Sequence, residues 1–518
     1  MHSLILFAAL LAVLLGLGVA YVYGRFGRHL QGGPAHALPP GRDETEIDRL
    51  AVSLLDEHRG QNGITLIADN IDAFAARVVS ARRAGRSLDL QYYYWKNDLT
   101  GKLLTREIIA AADRGVRVRL LLDDINAGLH DRMCLSLDAH ENIEVRLFNP
   151  SRARTDRLRR GLEMMLRPLS ATRRMHNKAW IADGHVAITG GRNIGDAYFD
   201  ADEQANFRDL DVWMLGPVVD EAAAMFDQYW NSPVVLPIGA LRTPRRHYLP
   251  QLRYNLETRS VTPAAKHYLD EVERDMAAGG LYAGEHEISW TTGVRLVCDP
   301  PEKAHLQKRQ NWIMRELLPV LTAAKHDIRI ISPYFIPGQQ GTARIAELAS
   351  RNVTVSVLTN SLAATDVAAV HGAYAPYRKP LLRSGVTLFE LKAIHAPGER
   401  KRMSLFGSRG ASLHTKAFTV DGETGFVGSM NFDPRSASLN TEMGMLFTHP
   451  ALVEGVNALF AEETRDINSF RLQLSGSRIE WYDREDGEPR RLKREPEAGF
   501  LRRLIASVIR ILPIESQL

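Results

Sequence analysis

One pattern of polar residues occurs twice in this chain at the same internal spacing. The first copy consists of His176, Lys178, Asp183, Gly190, Gly191 and Asn193. The second copy consists of His414, Lys416, Asp421, Gly428, Ser429 and Asn431, each 238 residues beyond its counterpart. Six positions repeated at one offset indicate a duplicated unit. We therefore expect two halves that fold alike and contribute equally to one site.

Each copy predicts a β-hairpin. Apolar and polar residues alternate around Asp183-Gly184 in the first copy and around Asp421-Gly422 in the second. Asp-Gly between two alternating segments is a strong signal for a tight hairpin turn, and turn formation is the role we expect for both aspartates. Side chains two positions apart on a strand face the same way, so the His and Lys of each copy are expected on one face.

The repeated side chains suit chemistry on a phosphodiester. If the halves came together, two imidazoles, two ammonium groups and two amides would converge. The Lys and Asn donors would hold the non-bridging oxygens, where charge develops in the transition state. One imidazole would attack phosphorus, and the other would protonate the departing alkoxide. The paired Gly-Gly and Gly-Ser steps would let the backbone approach the ligand closely.

The double His-x-Lys-x4-Asp-x6-Gly-[Gly/Ser]-x-Asn signature resembles that of the phospholipase D superfamily. Further stretches resemble one branch of it, the C-type bacterial cardiolipin synthases, at residues 90–95, 331–338, 359–361 and 512–518. Together with the signatures they span roughly residues 60–518. The resemblance implies a duplicated phospholipase D fold. In that fold, two α/β/α halves with mixed sheets pack about a pseudo-twofold axis, and the site lies at their seam.

The resemblance also implies a reaction. A cardiolipin synthase would move a phosphatidyl group from a phospholipid donor to phosphatidylglycerol through a phosphohistidine. The sequence leaves the donor lipid open, and phosphatidylethanolamine is a further candidate substrate. His176 is the implied nucleophile and His414 the implied acid and base, although the near symmetry of the half-sites leaves the reverse assignment open. Water as the acceptor would give phosphatidic acid, the product of a phospholipase D. A nuclease and a non-catalytic lipid-binding protein are the remaining alternatives.

Two acids beyond the repeated pattern are candidates for orienting the imidazoles. Asp209 lies eight residues before Pro217, and Glu442 lies eight residues before Pro450. A carboxylate there would fix the tautomer of a histidine and stabilise its protonated form. We expect each acid to serve the histidine of its own half, with Asp211 as the alternative to Asp209.

A few further residues are candidates for contacting the substrate. Tyr94 and Tyr334 are expected to line the entrance for headgroup or acyl chain, and His371 is a candidate for a headgroup contact. We expect no metal and no cofactor, because lysine and histidine supply the positive charge. Cys134 and Cys298 are expected to be reduced, and their spacing suggests neither a disulfide framework nor a metal site. A net charge of +4 is too small to indicate a dedicated nucleic-acid binder.

Periodicity indicates α/β halves, and 518 residues with 45% hydrophobic content can supply two large cores. Helical stretches over 103–114 and 312–325 alternate with β runs at 116–122, 145–148, 328–332 and 353–358. The predicted order is a transmembrane anchor over 1–24, a tether over 25–60, the first half over 61–235, a connector over 236–290, the second half over 291–470 and a C-terminal extension over 471–518.

Three segments predict contact with a membrane. Residues 4–23 carry no charge and are long enough as a helix to cross a bilayer, with a cleaved signal peptide as the alternative. Arg25 and Arg28 follow, which favours a bacterial inner-membrane anchor with the catalytic domain on the cytoplasmic side. An arginine-rich segment at 152–174 and an amphipathic stretch at 501–512 suit anionic headgroups. A solvated loop and packing on the protein body are the respective alternatives. Whether the protein needs a protein partner is left open by the sequence.

Overall fold

The computed structural model describes residues 32–127, 131–151, 172–203, 205–243, 245–260, 262–277, 287–305, 312–393, 412–485, 488–510 and 515, together with residues 7, 10–16 and 18. Most of the predicted anchor over 4–23 and most of the arginine-rich segment over 152–174 therefore lie outside the described residues. In the part of the chain that the structure describes, no helix combines the length and the apolar character that a membrane crossing requires.

The first half is built on a nine-stranded mixed sheet with the order β10-β1-β8-β6-β5-β2-β3-β4-β9. The first ten strands in chain order are β1 Asn62–Ile67, β2 Ser87–Tyr92, β3 Arg117–Asp123, β4 Ile143–Phe148, β5 Ala179–Ala182, β6 Val186–Gly190, β7 Phe207–Arg208, β8 Asp211–Leu215, β9 Val235–Pro237 and β10 Ser289–Thr291. The helices are α1 Glu46–Glu57, α2 Asn70–Arg83, α3 Leu99–Asp113, α4 Asp124–Ala127, α5 Asp131–Leu137, α6 Pro217–Trp230, α7 Ile238–Leu241, α8 Tyr248–Ser260 and α9 Pro263–Ala277.

The second half has a ten-stranded sheet with the order β11-β18-β17-β16-β12-β13-β14-β19-β20-β21. Its strands, with β15, are β11 Val294–Cys298, β12 Asp327–Ile331, β13 Thr354–Asn360, β14 Thr387–Leu391, β15 Ser412–Leu413, β16 Ala417–Val420, β17 Thr424–Gly428, β18 Met443–Phe447, β19 Ser469–Ser475, β20 Arg478–Glu485 and β21 Glu488–Leu492. Its helices are α10 Ile313–Thr322, α11 Gly338–Ser350, α12 Ala368–Tyr374, α13 Arg378–Arg383, α14 Pro434–Ser438, α15 Pro450–Glu463 and α16 Phe500–Ile509.

The two sheets repeat one topology. The run β1-β8-β6-β5-β2-β3-β4-β9 recurs as β11-β18-β17-β16-β12-β13-β14-β19. In each run, three central strands pair in parallel, and the hairpin strands add to them antiparallel. The predicted mixed α/β halves are confirmed.

Side chains on opposite faces of the hairpin strands pack into two different cores, one of which joins the two halves. Trp180 and Ala182 of β5 point into the core of the first half, whereas Ala179 and Ile181 point into a second core. That second core also contains Ala417 of β16, along with other side chains from both halves. Side chains on a strand alternate between faces, so one hairpin serves its own half and the junction at once.

The motif aspartates form the turns of these hairpins and brace the adjacent strand. Asp183 and Asp421 adopt left-handed backbone conformations, with φ of 52° and 55°. The Asp183 carboxylate accepts hydrogen bonds from the backbone amides of residues 85–87, at the start of β2. The Asp421 carboxylate does the same at residues 325–327, at the start of β12. Both aspartates contribute to the fold at the end of the hairpin remote from the histidines.

The predicted connector and the C-terminal extension both pack on the halves. Leu256 of α8 and Tyr268 of α9 are buried in the core of the first half. In the extension, β19, β20 and β21 lengthen the second sheet. Helix α16 packs on α12, with Ala506 buried. Its Phe500 is 79% exposed, so α16 packs on the body through one face and leaves an apolar face uncovered.

Candidate active site

The histidines of both copies line one cavity between the halves, with a volume of about 290 Å³. The other lining residues from the first half are Tyr93, Tyr94, Asn193, Tyr198 and Phe207. Those from the second half are Tyr334, Asp366, Val367, Val370, Asn431, Asp433, Arg435 and Asn440. The duplicated pattern is thus brought to a single place, with both amides and both predicted tyrosines present.

Each histidine is paired with a carboxylate of the other half. His176 Nδ1 lies 2.8 Å from Glu442 Oε2, and His414 Nδ1 lies 2.5 Å from Asp209 Oδ2. The expectation that each acid serves the histidine of its own half is therefore wrong. Asp211 is not at the imidazoles either, because its carboxylate is bound to Arg77 at 2.7 Å.

Backbone pairing across the halves explains this exchange. The His176 amide donates to the carbonyl of Thr441, the residue before Glu442, at 2.9 Å. The His414 amide donates to the carbonyl of Arg208, the residue before Asp209, at 2.8 Å. Each histidine is thereby fixed beside the segment that carries the other half's acid. The two half-sites cannot form separately.

The small residues of the motif make room for the neighbouring strands and, at Gly191, for the acid Asp209. A Cβ on Gly191 would lie 2.1 Å from Asp209 Oδ1, and one on Gly428 would lie 2.3 Å from the Met443 carbonyl oxygen. Gly190 has a φ of +154°, and a Cβ there would lie 2.2 Å from Asp211 Oδ1. Ser429, the counterpart of Gly191, donates its hydroxyl to Glu442 Oε2 at 2.5 Å. The expected close approach to a ligand is replaced by a close approach of the supporting strands.

The lysines and asparagines supply donors around the imidazoles. The Lys178 ammonium donates to the His176 carbonyl oxygen at 2.6 Å, and Lys416 makes the same contact with His414. Asn193 Nδ2 donates to the Tyr198 hydroxyl at 3.1 Å. The amide oxygens of Asn193 and Asn431 have no hydrogen-bond partner among the described residues. These polar groups fit the recognition of a polar ligand in the cavity.

Burial and the crowding of positive charge determine the protonation of the site. Burial lowers the pKa of His176, and burial together with Lys416 lowers the pKa of His414 to about 3. Burial also lowers the pKa of Lys178 well below its usual value and that of Lys416 to about 8. Burial alone would raise the pKa of Asp209 and Glu442, but the facing imidazoles and lysines lower it. Neutral imidazoles thus face ionised carboxylates, and each Nε2 keeps its lone pair for reaction.

Several cavity residues were not predicted from the sequence. The Tyr93 ring lies edge-on to His176 at 5.1 Å between centroids, and the Tyr198 ring lies edge-on to His414 at 5.1 Å. Arg435 adds a cation to the lining. Tyr198 carries no repeat signal, because its counterpart at the 238-residue offset is Ser436. Tyr93 falls within the stretch 90–95, but the sequence does not distinguish it from Tyr94.

The two predicted tyrosines line the cavity, whereas His371 does not. The Tyr94 hydroxyl donates to the Tyr198 hydroxyl at 2.8 Å, and the Tyr334 hydroxyl donates to Asp366 at 2.8 Å. His371 is buried, with Nε2 3.3 Å from Glu495 in the C-terminal extension. His371 thus joins the extension to the second half, and its expected headgroup contact stays a prediction.

One group of side chains in the described residues has the spacing of a metal site. It consists of His371, Glu390 and Glu495, whose ligand atoms lie within 4.8 Å of one another. Arg378 is paired with both carboxylates, at 3.2 Å to Glu390 and 2.6 Å to Glu495. The guanidinium already supplies the positive charge that a cation would bring, so the group fits an internal ion network better than a metal site.

Known proteins are similar to this chain in sequence and in fold. The family described as cardiolipin synthase, PLD-like domain, matches residues 79–230 and 317–464. The chain is 41% identical over 483 residues to cardiolipin synthase C of Escherichia coli, which covers 90% of this chain and 99% of that protein. It is 33% identical over 473 residues to an uncharacterized protein of Helicobacter pylori, which covers 90% of this chain and 92% of that protein. The crystal structure of a phosphatidylserine synthase of Haemophilus influenzae superposes with a TM-score of 0.56 at 14% identity, covering 90% of this chain and 100% of that one, and supports the fold alone.

Proposed function

This chain belongs to the cardiolipin synthase family with phospholipase D-like domains, and from that premise we propose the substrates and steps of its reaction. It is a phospholipid phosphatidyltransferase of the phospholipase D type. The proposed acceptor is phosphatidylglycerol and the product is cardiolipin. The observation that carries the proposal is the pair of imidazoles in one cavity, each backed by a buried carboxylate.

The first half-reaction forms a phosphohistidine. Nε2 of His176 attacks the phosphorus of the donor lipid, a P–N bond forms, and the P–O bond to the headgroup alcohol breaks. The bound phosphodiester anion raises the pKa of His414, because it offsets the charge of the nearby lysines. Protonated His414 then gives its Nε2 proton to the departing alkoxide. Asp209 accepts the Nδ1 hydrogen bond and stabilises the imidazolium before transfer.

The second half-reaction transfers the phosphatidyl group. His414, now neutral, accepts the proton of a glycerol hydroxyl of phosphatidylglycerol, whose oxygen attacks phosphorus. The P–N bond breaks, and His176 is regenerated in its neutral form. Glu442 holds the Nδ1 side of His176, which keeps Nε2 directed at the phosphorus in both steps. The assignment of His176 as nucleophile follows the resemblance, and the exchanged assignment uses the same supporting acids.

The remaining polar groups stabilise the charge on the phosphoryl oxygens. Lys178 and Lys416 each donate to the carbonyl oxygen of their histidine, so their positive charge lies close to both imidazoles and favours an anion bound between them. The amides of Asn193 and Asn431 supply neutral donors on either side of the cavity. Fixed donors in a water-poor site are worth more than in water and need no reorganisation during the reaction.

The proposed location is the bacterial inner membrane, with the catalytic domain on the cytoplasmic side. The uncharged segment over 4–23 and the arginines that follow it support an anchor of that orientation. The exposed apolar face of α16 supports additional contact with the lipid surface. Phosphatidylglycerol and phosphatidylethanolamine would reach the cavity from that surface.

The test is a product analysis with radiolabelled phosphatidylglycerol, with and without phosphatidylethanolamine, using the full chain in detergent or membranes. We expect label in cardiolipin from the wild type and none from His176→Ala or His414→Ala. His267→Ala is the matched control, because its imidazole is exposed and outside the cavity. Label only in phosphatidic acid would identify a hydrolase, and substantial activity in either motif variant would contradict the shared site.

A further inference from the structure

A second cavity lies beside the catalytic one, inside the second half. It occupies about 530 Å³ between the sheet and two helices, α10 and α11, within the range of roughly 300–1,000 Å³ typical of ligand sites. Ile328 and Ile330 of β12 form its floor, and Leu318 of α10 and Ile345 of α11 form its walls. The exposed Gln339 and Gln340 border it where it meets the surface. Its lining is mostly apolar.

The duplication explains why this space is open. The signature offset of 238 places Ala437 at the position of Phe199 in the first half. The hydrogen bonds of Asp183 and Asp421 relate residues 85–87 to 325–327, an offset of 240 that places Met314 at the position of Phe74. Phe74 and Phe199 pack edge-to-face at 5.3 Å in the buried core of the first half. Met314 and Ala437 both line the cavity of the second half.

The second half has a methionine and a methyl group where the first half has two aromatic rings, and the space of those rings is left unfilled. Protein interiors are close-packed, and apolar space without partner atoms is unfavourable. A flexible methionine also suits a site that must adapt to a ligand. In the first half the same space is filled by the two phenylalanines together with Tyr268 of α9, which packs edge-on to Phe74 at 5.3 Å. The opening in the second half therefore points to an apolar occupant.

One short segment, residues 430–433, lies between the apolar cavity and the catalytic cavity and lines both of them. Asn431 lines the catalytic cavity, whereas its neighbours Met430 and Phe432 line the apolar one. Asp433 lines both. A ligand whose phosphate is held at the histidines would thus have the apolar cavity next to it. Phospholipids have this combination of an anionic phosphate and a hydrocarbon chain a few atoms away.

We propose that the apolar cavity lined by Met314, Ile345 and Ala437 binds one acyl chain of the phospholipid substrate while its phosphate lies between the two histidines. This inference rests on the proposed function for the identity of the lipid. Insertion of a chain would draw the phosphodiester out of the membrane surface and position it for attack. Headgroup recognition would then lie on the tyrosine-rich side of the catalytic cavity. Specificity for chain length would reside in the second half alone.

Two measurements test the proposal with the full-length protein. In the first, phosphatidylglycerol carrying a photoreactive group on its acyl chain is crosslinked, and labelled peptides are mapped. We expect label in residues 313–322 or 338–350 of the wild type and its loss in Ala437→Phe, which restores the side chain of the first half. In the second, kcat/KM for cardiolipin formation is compared between dioleoyl and dibutyryl phosphatidylglycerol in mixed micelles.

The ratio of long-chain to short-chain kcat/KM should fall on the order of tenfold or more in Ala437→Phe, since losing the burial of two methylene groups is sufficient for that factor. Ile345→Trp provides a second filling variant if Ala437→Phe does not fold. Ala343→Phe is the matched control, because it makes the same change on an exposed position of α11. That variant should keep both the label and the ratio.

The outcomes separate the two proposals. Label in other segments, or an unchanged ratio in both folded filling variants, would overturn the acyl site while cardiolipin formation by the wild type upheld the function. The wild type could instead form no cardiolipin but show label in α10 or α11 that Ala437→Phe removes. That result would uphold the acyl site and overturn the proposed reaction. Label in α10 or α11 that persists in both filling variants would overturn the cavity as its origin.

Discussion

Substitution of Gly191 by alanine should disable the site through Asp209. The added Cβ would lie 2.1 Å from Asp209 Oδ1 and 2.5 Å from Oδ2. Ordinary contacts need about 3.4 Å or more, so the carboxylate must move by on the order of 1 Å. That movement breaks the 2.5 Å hydrogen bond to His414, which belongs to the other half. Misplacement of this size costs on the order of 100-fold in rate, which is the fall in kcat we expect.

The assay is cardiolipin formation from labelled phosphatidylglycerol at saturating lipid. Gly33→Ala is the matched control, because a Cβ at Gly33 meets nothing within 4 Å. Asp209→Ala provides a second background, since it removes the carboxylate that the new methyl group would strike. Gly191→Ala should therefore have little further effect in that background. A loss of less than about threefold, or an equal loss with and without the Asp209 carboxylate, would refute the steric reasoning.

Three further predictions concern the paired acids, the buried Lys416 and helix α16. Asp209→Asn and Glu442→Gln should each lower kcat by on the order of 100- to 10,000-fold, since each leaves a histidine without its anionic partner; near-normal turnover would exclude the pairing. Burial depresses the pKa of Lys416 to about 8 from 10.5, so between these pH values the unfolded chain binds more protons than the folded one. The melting temperature of the wild type should therefore rise with pH across that window, and that of Lys416→Met should rise less. Serine at Phe500, Leu504 and Val508 should weaken flotation with anionic liposomes, because those side chains are 79%, 47% and 49% exposed; unchanged flotation would show that α16 only packs on the protein.

Local patterns predicted the elements well, with shifts at their ends. The helix expected over 103–114 begins earlier and spans Leu99–Asp113, because Asp98 caps it by accepting from the Gly101 amide at 3.2 Å. The strand expected over 116–122 spans Arg117–Asp123. His176 and Lys178 were expected on a strand, but β5 begins only at Ala179. The segment before β5 pairs with the other half instead, which no local periodicity reveals.

Residues that repeat between the halves were recognised, and residues that differ were not. Tyr198 lines the catalytic cavity, but its counterpart Ser436 lies buried beside the helix cap of Asp433. The apolar cavity depends on Ala437 and Met314, which carry no motif and become meaningful only beside Phe199 and Phe74. Divergence between two copies of one fold is informative once the copies can be superposed, and a single sequence does not provide that superposition.

The sequence by itself determined the duplicated halves, the hairpins and the residue types of the site, because spacing, periodicity and turn chemistry act over a few neighbouring residues. The tertiary structure alone decided which groups meet. His414 and Asp209 are 205 residues apart, and His176 and Glu442 are 266 apart, and each pair forms across the junction of the halves. The physical reason is that such contacts depend on how two folded surfaces dock, with backbone hydrogen bonds at Thr441 and Arg208 fixing the register. A pattern that specifies each half-site leaves open which acid completes it.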